Sequence, residues 1–254
     1  MSAAAAPPAA RLRWDCAAMR WDPAPAGPLA EGWTACADLL VPGSPELERQ
    51  LALVGRRQQT SRMSVCASLL LERYAWALAT AAFGSLLGEG TLPDLDAANV
   101  AVHLDGEGFV DALLLTDPER APLTPGAALE PLARGLLAGH LLTLVERLAE
   151  RPVHRGRRAL LCLVVDALAA GIAGAAEAAG TSPGEAAVLT LAVGLMLGTP
   201  AALRPRLLGV DGRLVRKRGV CCLLHTERAV HCATCPHLSD DETACRMRVL
   251  STTT

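Results

Sequence analysis

Lysine and aromatic residues are almost missing from this chain of 254 residues: Lys217 is the single lysine, and aromatics make up 3%. Charged residues amount to 20% and the formal net charge is -2, so the strongly basic face that nucleic-acid binding requires is not there. A glycine-rich phosphate loop, a dinucleotide fingerprint and a Ser/His/Asp constellation are also lacking, which leaves no nucleotide site and no hydrolytic triad to consider. No internal repeat is visible. Residues 1–10 are rich in alanine and proline, with no basic stretch leading into an apolar run. They do not fit a secretory signal, and a cytoplasmic location is the expectation.

Against these gaps stands a hydrophobic fraction of 51%, on a chain long enough to bury one substantial core. The expected fold class is mainly α (α+β): a helical domain with two small β-hairpins and a cysteine-rich C-terminal metal-binding tail. Three regions are expected: an extended arm over 1–32, a mainly helical domain over 33–206, and a hairpin with a metal-binding segment over 207–254. In the arm, Trp14 and Trp21, like Trp33 just beyond it, are spaced too irregularly for a helix face and are expected to pin the chain to the core.

The helical signals are local. Ser44 can cap a helix with Pro45 in its first turn, running to about Arg57. Arg62 to Leu87 has apolar residues all round, as a buried helix does, and Gly88 and Gly90 end it. Glu130 to Arg151 carries a leucine stripe at three- and four-residue steps, with His140 at its border. A basic connector, Arg151 to Arg158, leads into an apolar helix to Ala179. Ser182-Pro183-Gly-Glu185 then opens another through a capping box. Ala186 to Leu203 approaches membrane-spanning length, but Gly194, Gly198 and Pro200 favour a buried helix, with peripheral membrane attachment as the alternative. Asp105-Gly106 and Asp211-Gly212 between β-favouring residues mark two tight hairpins. His103 beside Asp105 reads as a strand edge rather than an acid-base pair.

The chemistry concentrates near the C-terminus, where four of the nine cysteines fall within fifteen residues: Cys221, Cys222, Cys232 and Cys235. Cys232-Ala-Thr-Cys235 can bring two thiolates to one side of a turn, as in zinc and iron-sulfur sites. The adjacent pair Cys221-Cys222 is harder to fit to one ion, since neighbouring side chains on a strand point apart. Spacing alone leaves a structural zinc site and a 2Fe-2S cluster both open. The dispersed Cys16, Cys36, Cys66 and Cys162 read as reduced and structural. His225, His231 and His237 flank the motif but, with four cysteines at hand, are not assigned as ligands.

These residues resemble the FhuF-type ferric-siderophore reductases, a family that ends in Cys-Cys, a spacer of about ten residues, and Cys-x-x-Cys-Pro. Here Cys221-Cys222 is followed by nine residues and then Cys232-Ala-Thr-Cys235-Pro236. Weaker similarity extends upstream to Arg62, Ser68, Tyr74-Ala75 and His140 to Glu146. The resemblance implies a 2Fe-2S cluster on Cys221, Cys222, Cys232 and Cys235, acting as a ferric-siderophore reductase that delivers one electron at a time. The chain departs from the family in its shorter spacer, in Leu223-Leu224-His225 where relatives often have an aromatic, and in the extra Cys245. The implied partners are a ferric siderophore and an external electron donor such as a ferredoxin or flavin reductase. The run Arg213, Arg216, Lys217, Arg218 could attract such a donor or an anionic chelate, or serve as a solvated strand edge. Two functions compete with reduction of a siderophore: a zinc-binding interaction protein, and an iron-sulfur electron carrier or redox sensor.

Overall fold

A computed structural model describes residues 10–14, 19–23, 32–104, 110–116, 120–153, 155–228 and 230–252. The fold is mainly helical with antiparallel β structure, as expected. Its centre is a pair of long helices, α3 (Met63–Glu89) and α6 (Arg157–Ala179), which make the most extensive contact among the described residues. Both are apolar around their whole circumference, and such helices are stable only when enclosed. Alanine and glycine line their crossing: a Cβ added at Gly171 would lie 2.6 Å from Cβ of Ala79, so the two backbones meet with no room between them. α6 is long and apolar enough to cross a membrane, yet it lies largely enclosed as a core helix.

Around this pair the local signals act as the sequence suggests. Ser44 caps α2 (Pro45–Gln58), its Oγ accepting the Leu47 N–H at 3.1 Å. Ser182 and Glu185 close a reciprocal capping box at α7 (Pro183–Met196). Gly90 ends α3 in the left-handed conformation that glycine tolerates without strain. Between α3 and α6 the leucine-striped segment is a short helix, α4 (Leu129–Pro131), a π-helical stretch (Leu132–Leu142) and α5 (Thr143–Ala149). His140 is fully buried there rather than at a border, with Nδ1 2.7 Å from the Tyr74 hydroxyl. Cys36, Cys66 and Cys162 are buried free thiols, while Cys16 lies outside the described residues.

Two elements differ from expectation. α7 is not a buried helix: Val188, Leu191 and Leu195 are exposed on its outer face while Ala186, Leu189 and Val193 face α6. Its end at Met196 also makes it too short to span a bilayer. The first β element is larger than a hairpin. β5 (Val100–Leu104) and β6 (Val110–Leu115) do pair antiparallel, although the Asp105-Gly106 turn lies outside the described residues. The arm contributes β1 (Ala10–Trp14) and β2 (Met19–Pro23), and β3 (Trp33–Ala35) joins at the other side, giving the order β2-β1-β6-β5-β3. His103 is not at a strand edge, since β5 lies between β6 and β3, and its ring meets Asp111 of β6 at 2.5 Å rather than Asp105. β4 (Thr91–Pro93) and β7 (Arg120–Pro122) form a further two-stranded sheet, too short to leave a pattern in the sequence.

The second hairpin positions the site. β8 (Arg206–Val210) and β9 (Arg213–Lys217) pair in register around Asp211-Gly212, whose φ values of 51° and 82° are those of the turn that matches strand twist. β9 packs on α6 and hands the chain on to the cysteines, followed by α8 (His225–Arg228) and α9 (Asp240–Thr252).

Candidate metal centre

The segment between β9 and the cysteines is fastened to the two central helices by buried charge. Asp166 of α6, wholly buried, accepts the N–H groups of Gly219 and Val220. Glu72 of α3 takes both Arg216 and Arg218, and Arg218 Nη1 donates to its Oε2 at 2.6 Å. Arg216 also donates to the Asp166 carbonyl at 3.0 Å. The same arginines grip the second cysteine pair: Arg218 N–H donates to the Thr234 carbonyl at 3.1 Å, and both guanidiniums reach the Thr234 hydroxyl. Lys217 is buried too, donating to the Leu238 carbonyl at 2.6 Å and to Asp240 at 2.7 Å.

The basic run is therefore neither a solvated edge nor a docking patch. Arg216, Lys217 and Arg218 point inward as clamps, and Arg213 alone lies at the surface, paired with Glu177. Buried guanidiniums demand carboxylate partners, and these come from α3 and α6, far away in sequence.

So held, the four cysteines gather as two neighbouring couples. Cys222 lies close to Cys232, and Cys221 lies within 4.8 Å of Cys235, sulfur to sulfur. Each couple has one buried member, Cys222 or Cys235, and one half-buried member, Cys221 or Cys232. The contact with Cys232, with burial, holds the Cys222 thiol well above its ordinary pKa, while the same contact lowers that of Cys232. Burial raises Cys235. A backbone N–H faces the first sulfur: Leu223 N–H donates to Cys221 Sγ at 3.3 Å. Leu223 takes a left-handed φ of 68°, which turns the chain back over the Cys221-Cys222 pair. Cys245 is exposed on α9 and stands outside the group.

Arg155, from the connector before α6, donates Nη2 to the Cys221 carbonyl at 2.6 Å. Its Nε and Nη1 are buried and, among the described residues, have no hydrogen-bond partner, although the group feels the charge of Cys221 and Cys222. Arg155, Arg216 and Arg218 face two carboxylates, Glu72 and Asp166, leaving one positive charge uncompensated beside the thiols. Such a surround suits thiolates or an anionic group built on them.

Histidine also lies within reach of the thiols. Ligand atoms of Cys221, Cys235 and His237 all lie within 4.8 Å of one another, so these three could hold a metal ion. His225 Nδ1 is 3.3 Å from Cys221 Sγ. The signal is present in the flanking His225, His231 and His237, but four cysteines make them look dispensable. Comparison with family models, with curated proteins and with solved structures finds no match for the chain.

Proposed function

We propose that this chain is a ferric-siderophore reductase, an oxidoreductase acting on metal ions, in which Cys221, Cys222, Cys232 and Cys235 hold a 2Fe-2S cluster. The observation that carries this reading is the arrangement of the four thiols as two couples beside an uncompensated buried cation. Two couples suit two irons with two terminal thiolates each, and a backbone N–H on sulfur, as Leu223 gives Cys221, is a usual means of tuning such a centre. Bound there, a 2Fe-2S group supplies a single reversible electron.

The protein's own residues do the rest. Asp166, Glu72 and the Arg216/Arg218 pair fix the backbone on both sides of the site, so little rearrangement accompanies a change of charge. Arg155 offers its unpartnered N–H groups to negative charge at the thiols. Half-buried Cys221 and Cys232 leave one edge open to a bulky chelate. Ferric iron is held tightly by hydroxamate or catecholate oxygens and ferrous iron far less so. One electron per iron, taken from an external donor protein such as a ferredoxin or flavin reductase, therefore frees the metal. A cytoplasmic location accords with that partner.

A second reading, structural zinc, is favoured by the compact group of Cys221, Cys235 and His237, with His225 as a fourth donor. Protein purified anaerobically from iron-replete cells distinguishes the two. The reductase is expected to be coloured, to give an EPR signal when reduced, and to lose it on addition of a ferric hydroxamate or catecholate as a trap captures ferrous iron. Cys222→Ser or Cys232→Ser should abolish the colour and Cys245→Ser should keep it. A colourless protein with stoichiometric zinc, indifferent to Cys222→Ser, establishes the zinc reading instead.

A further inference from the structure

A cavity of about 350 Å³ opens where α3, α6 and the end of β9 meet. Glu72, Arg73 and Trp76 reach it from one turn of α3, Ala170 from α6, and Arg216 and Arg218 from β9 and the residue just beyond it. Three guanidiniums, one carboxylate and a half-buried indole therefore share one wall. We infer that this cavity docks one arm of a ferric catecholate, so that the substrate is an aromatic, anionic chelate rather than a hydroxamate. The inference deepens the reductase reading and rests on it for the role of the bound iron.

Charge and shape each narrow the occupant. Arg216 and Arg218 are clamps and not a surface patch, since both pair with Glu72, yet both also line the cavity. With Arg73 beside them, the lining holds three positive groups against a single carboxylate. Arg216 Nε has no hydrogen-bond partner among the described residues, so the clamp leaves part of its donor capacity unused. Such a wall favours an anion. Trp76 adds a flat apolar surface, and indole and guanidinium planes both stack on aromatic rings. Ala170 is small enough to leave the space open on the α6 side.

The cavity lies at the lower end of the size range of ligand pockets, which suits one aromatic ring and excludes a whole three-armed chelate. The iron then stays at the mouth. A tris-catecholate is trianionic and carries a ring on every arm, whereas a hydroxamate chelate is neutral or cationic, with aliphatic arms that offer nothing for an indole to stack on. Arg218 also joins the cavity to the candidate centre: it feels the charge of Cys222 and Cys232, and its Nε donates to the hydroxyl of Thr234, next to Cys235, at 3.3 Å. One side chain thus links the bound arm to the thiols, and the electron passed is the single one already proposed.

Titration calorimetry with gallium(III) chelates tests this apart from any electron transfer, because gallium copies the charge and coordination of ferric iron and is not reduced. The protein is expected to bind a gallium tris-catecholate and to bind a gallium tris-hydroxamate at least about tenfold more weakly. Trp76→Leu, which removes the indole, and Ala170→Met, which fills the space from the opposite wall, should each weaken the tris-catecholate by roughly tenfold while keeping the visible spectrum of the wild type. No binding of the tris-catecholate, equal affinity for the two chelates, or an affinity unchanged in both variants overturns the cavity as the docking site and leaves the reductase reading standing. Selective binding by a colourless, zinc-loaded chain that passes no electron to the ferric chelate supports the cavity and overturns the reductase reading.

Discussion

The Asp166 carboxylate accepts the N–H of Gly219 at 2.7 Å through one oxygen and that of Val220 at 3.2 Å through the other. A helix in the core thereby sets the backbone two residues before the first cysteine. Burial raises the Asp166 carboxyl to about 6, against the pull of Arg216 and the two amides. Gly219 has no substitute here, because a Cβ would run into the backbone of Leu203 and Arg204.

Asp166→Ala should therefore unfasten the site. Two buried N–H groups lose their acceptor, at ~1–3 kcal/mol each, and Arg216 loses a facing charge. A loss of roughly 2–5 kcal/mol in urea unfolding is expected, together with loss of the metal group. Asp166→Asn, which keeps one acceptor oxygen, should lose less. A stable, fully loaded Asp166→Ala protein would refute the fastening role.

Glu72→Gln tests the other half of the clamp. Arg216 and Arg218 keep only 11% and 9% of their side-chain surface exposed, and their attraction outweighs burial in holding Glu72 below the ordinary carboxylate range. Removing that charge leaves two buried cations facing each other, and breaking a buried pair in this way costs about 3–5 kcal/mol. Because both arginines also hold Thr234, the metal group should dissociate faster in the variant. Thermal unfolding and the decay of the visible spectrum under chelator measure the two effects separately.

Two glycines on α6 should respond in opposite directions to alanine. Either substitution favours a helix by about 1 kcal/mol. At Gly171 the new methyl would lie 2.6 Å from Ala79 Cβ and 3.0 Å from the Ala79–Thr80 backbone, and overpacking costs ~1–3 kcal/mol. Gly171→Ala should therefore destabilise, with partial rescue by Ala79→Gly. Nothing lies within 4 Å of a Cβ at Gly174, so Gly174→Ala should stabilise. Denaturant midpoints of the variants decide it.

Features that one short window of sequence encodes are legible. Ser44, Ser182-Pro183 and Asp211-Gly212 act through neighbours within four residues, and the cysteine spacing marks a candidate metal site. Features built from distant partners are not. Nothing in Arg-Lys-Arg at 216–218 says that Glu72, some 144 residues earlier, draws two of its charges inward. The ring contacts among His225, His231 and His237 likewise need the turns at Leu223 and Cys235. In the arm, the alternation of Arg11, Leu12, Arg13 and Trp14 is strand-like, but only β6 could reveal what it pairs with. The π-helical widening at Leu132–Leu142 is hidden because a leucine stripe at three- and four-residue steps looks the same in an ordinary helix.

His140 should dominate the acid limb of stability. Its ring is fully buried against Tyr74, and burial lowers its pKa to about 4, outweighing the attraction of Asp96 and Asp94. The unfolded chain takes up this proton near the ordinary 6.5, so between those values it binds more protons than the folded protein. Stability from this group is thus complete above pH 6.5 and is lost as pH falls toward 4, by on the order of 3 kcal/mol. His140→Asn keeps an acceptor for the Tyr74 hydroxyl but cannot titrate. It should be less stable than wild type at neutral pH, because the smaller side chain leaves a cavity, yet lose less on acidification. Urea unfolding of both proteins across pH 4–7 measures the difference in slope, and parallel curves would show that His140 is not the group that titrates.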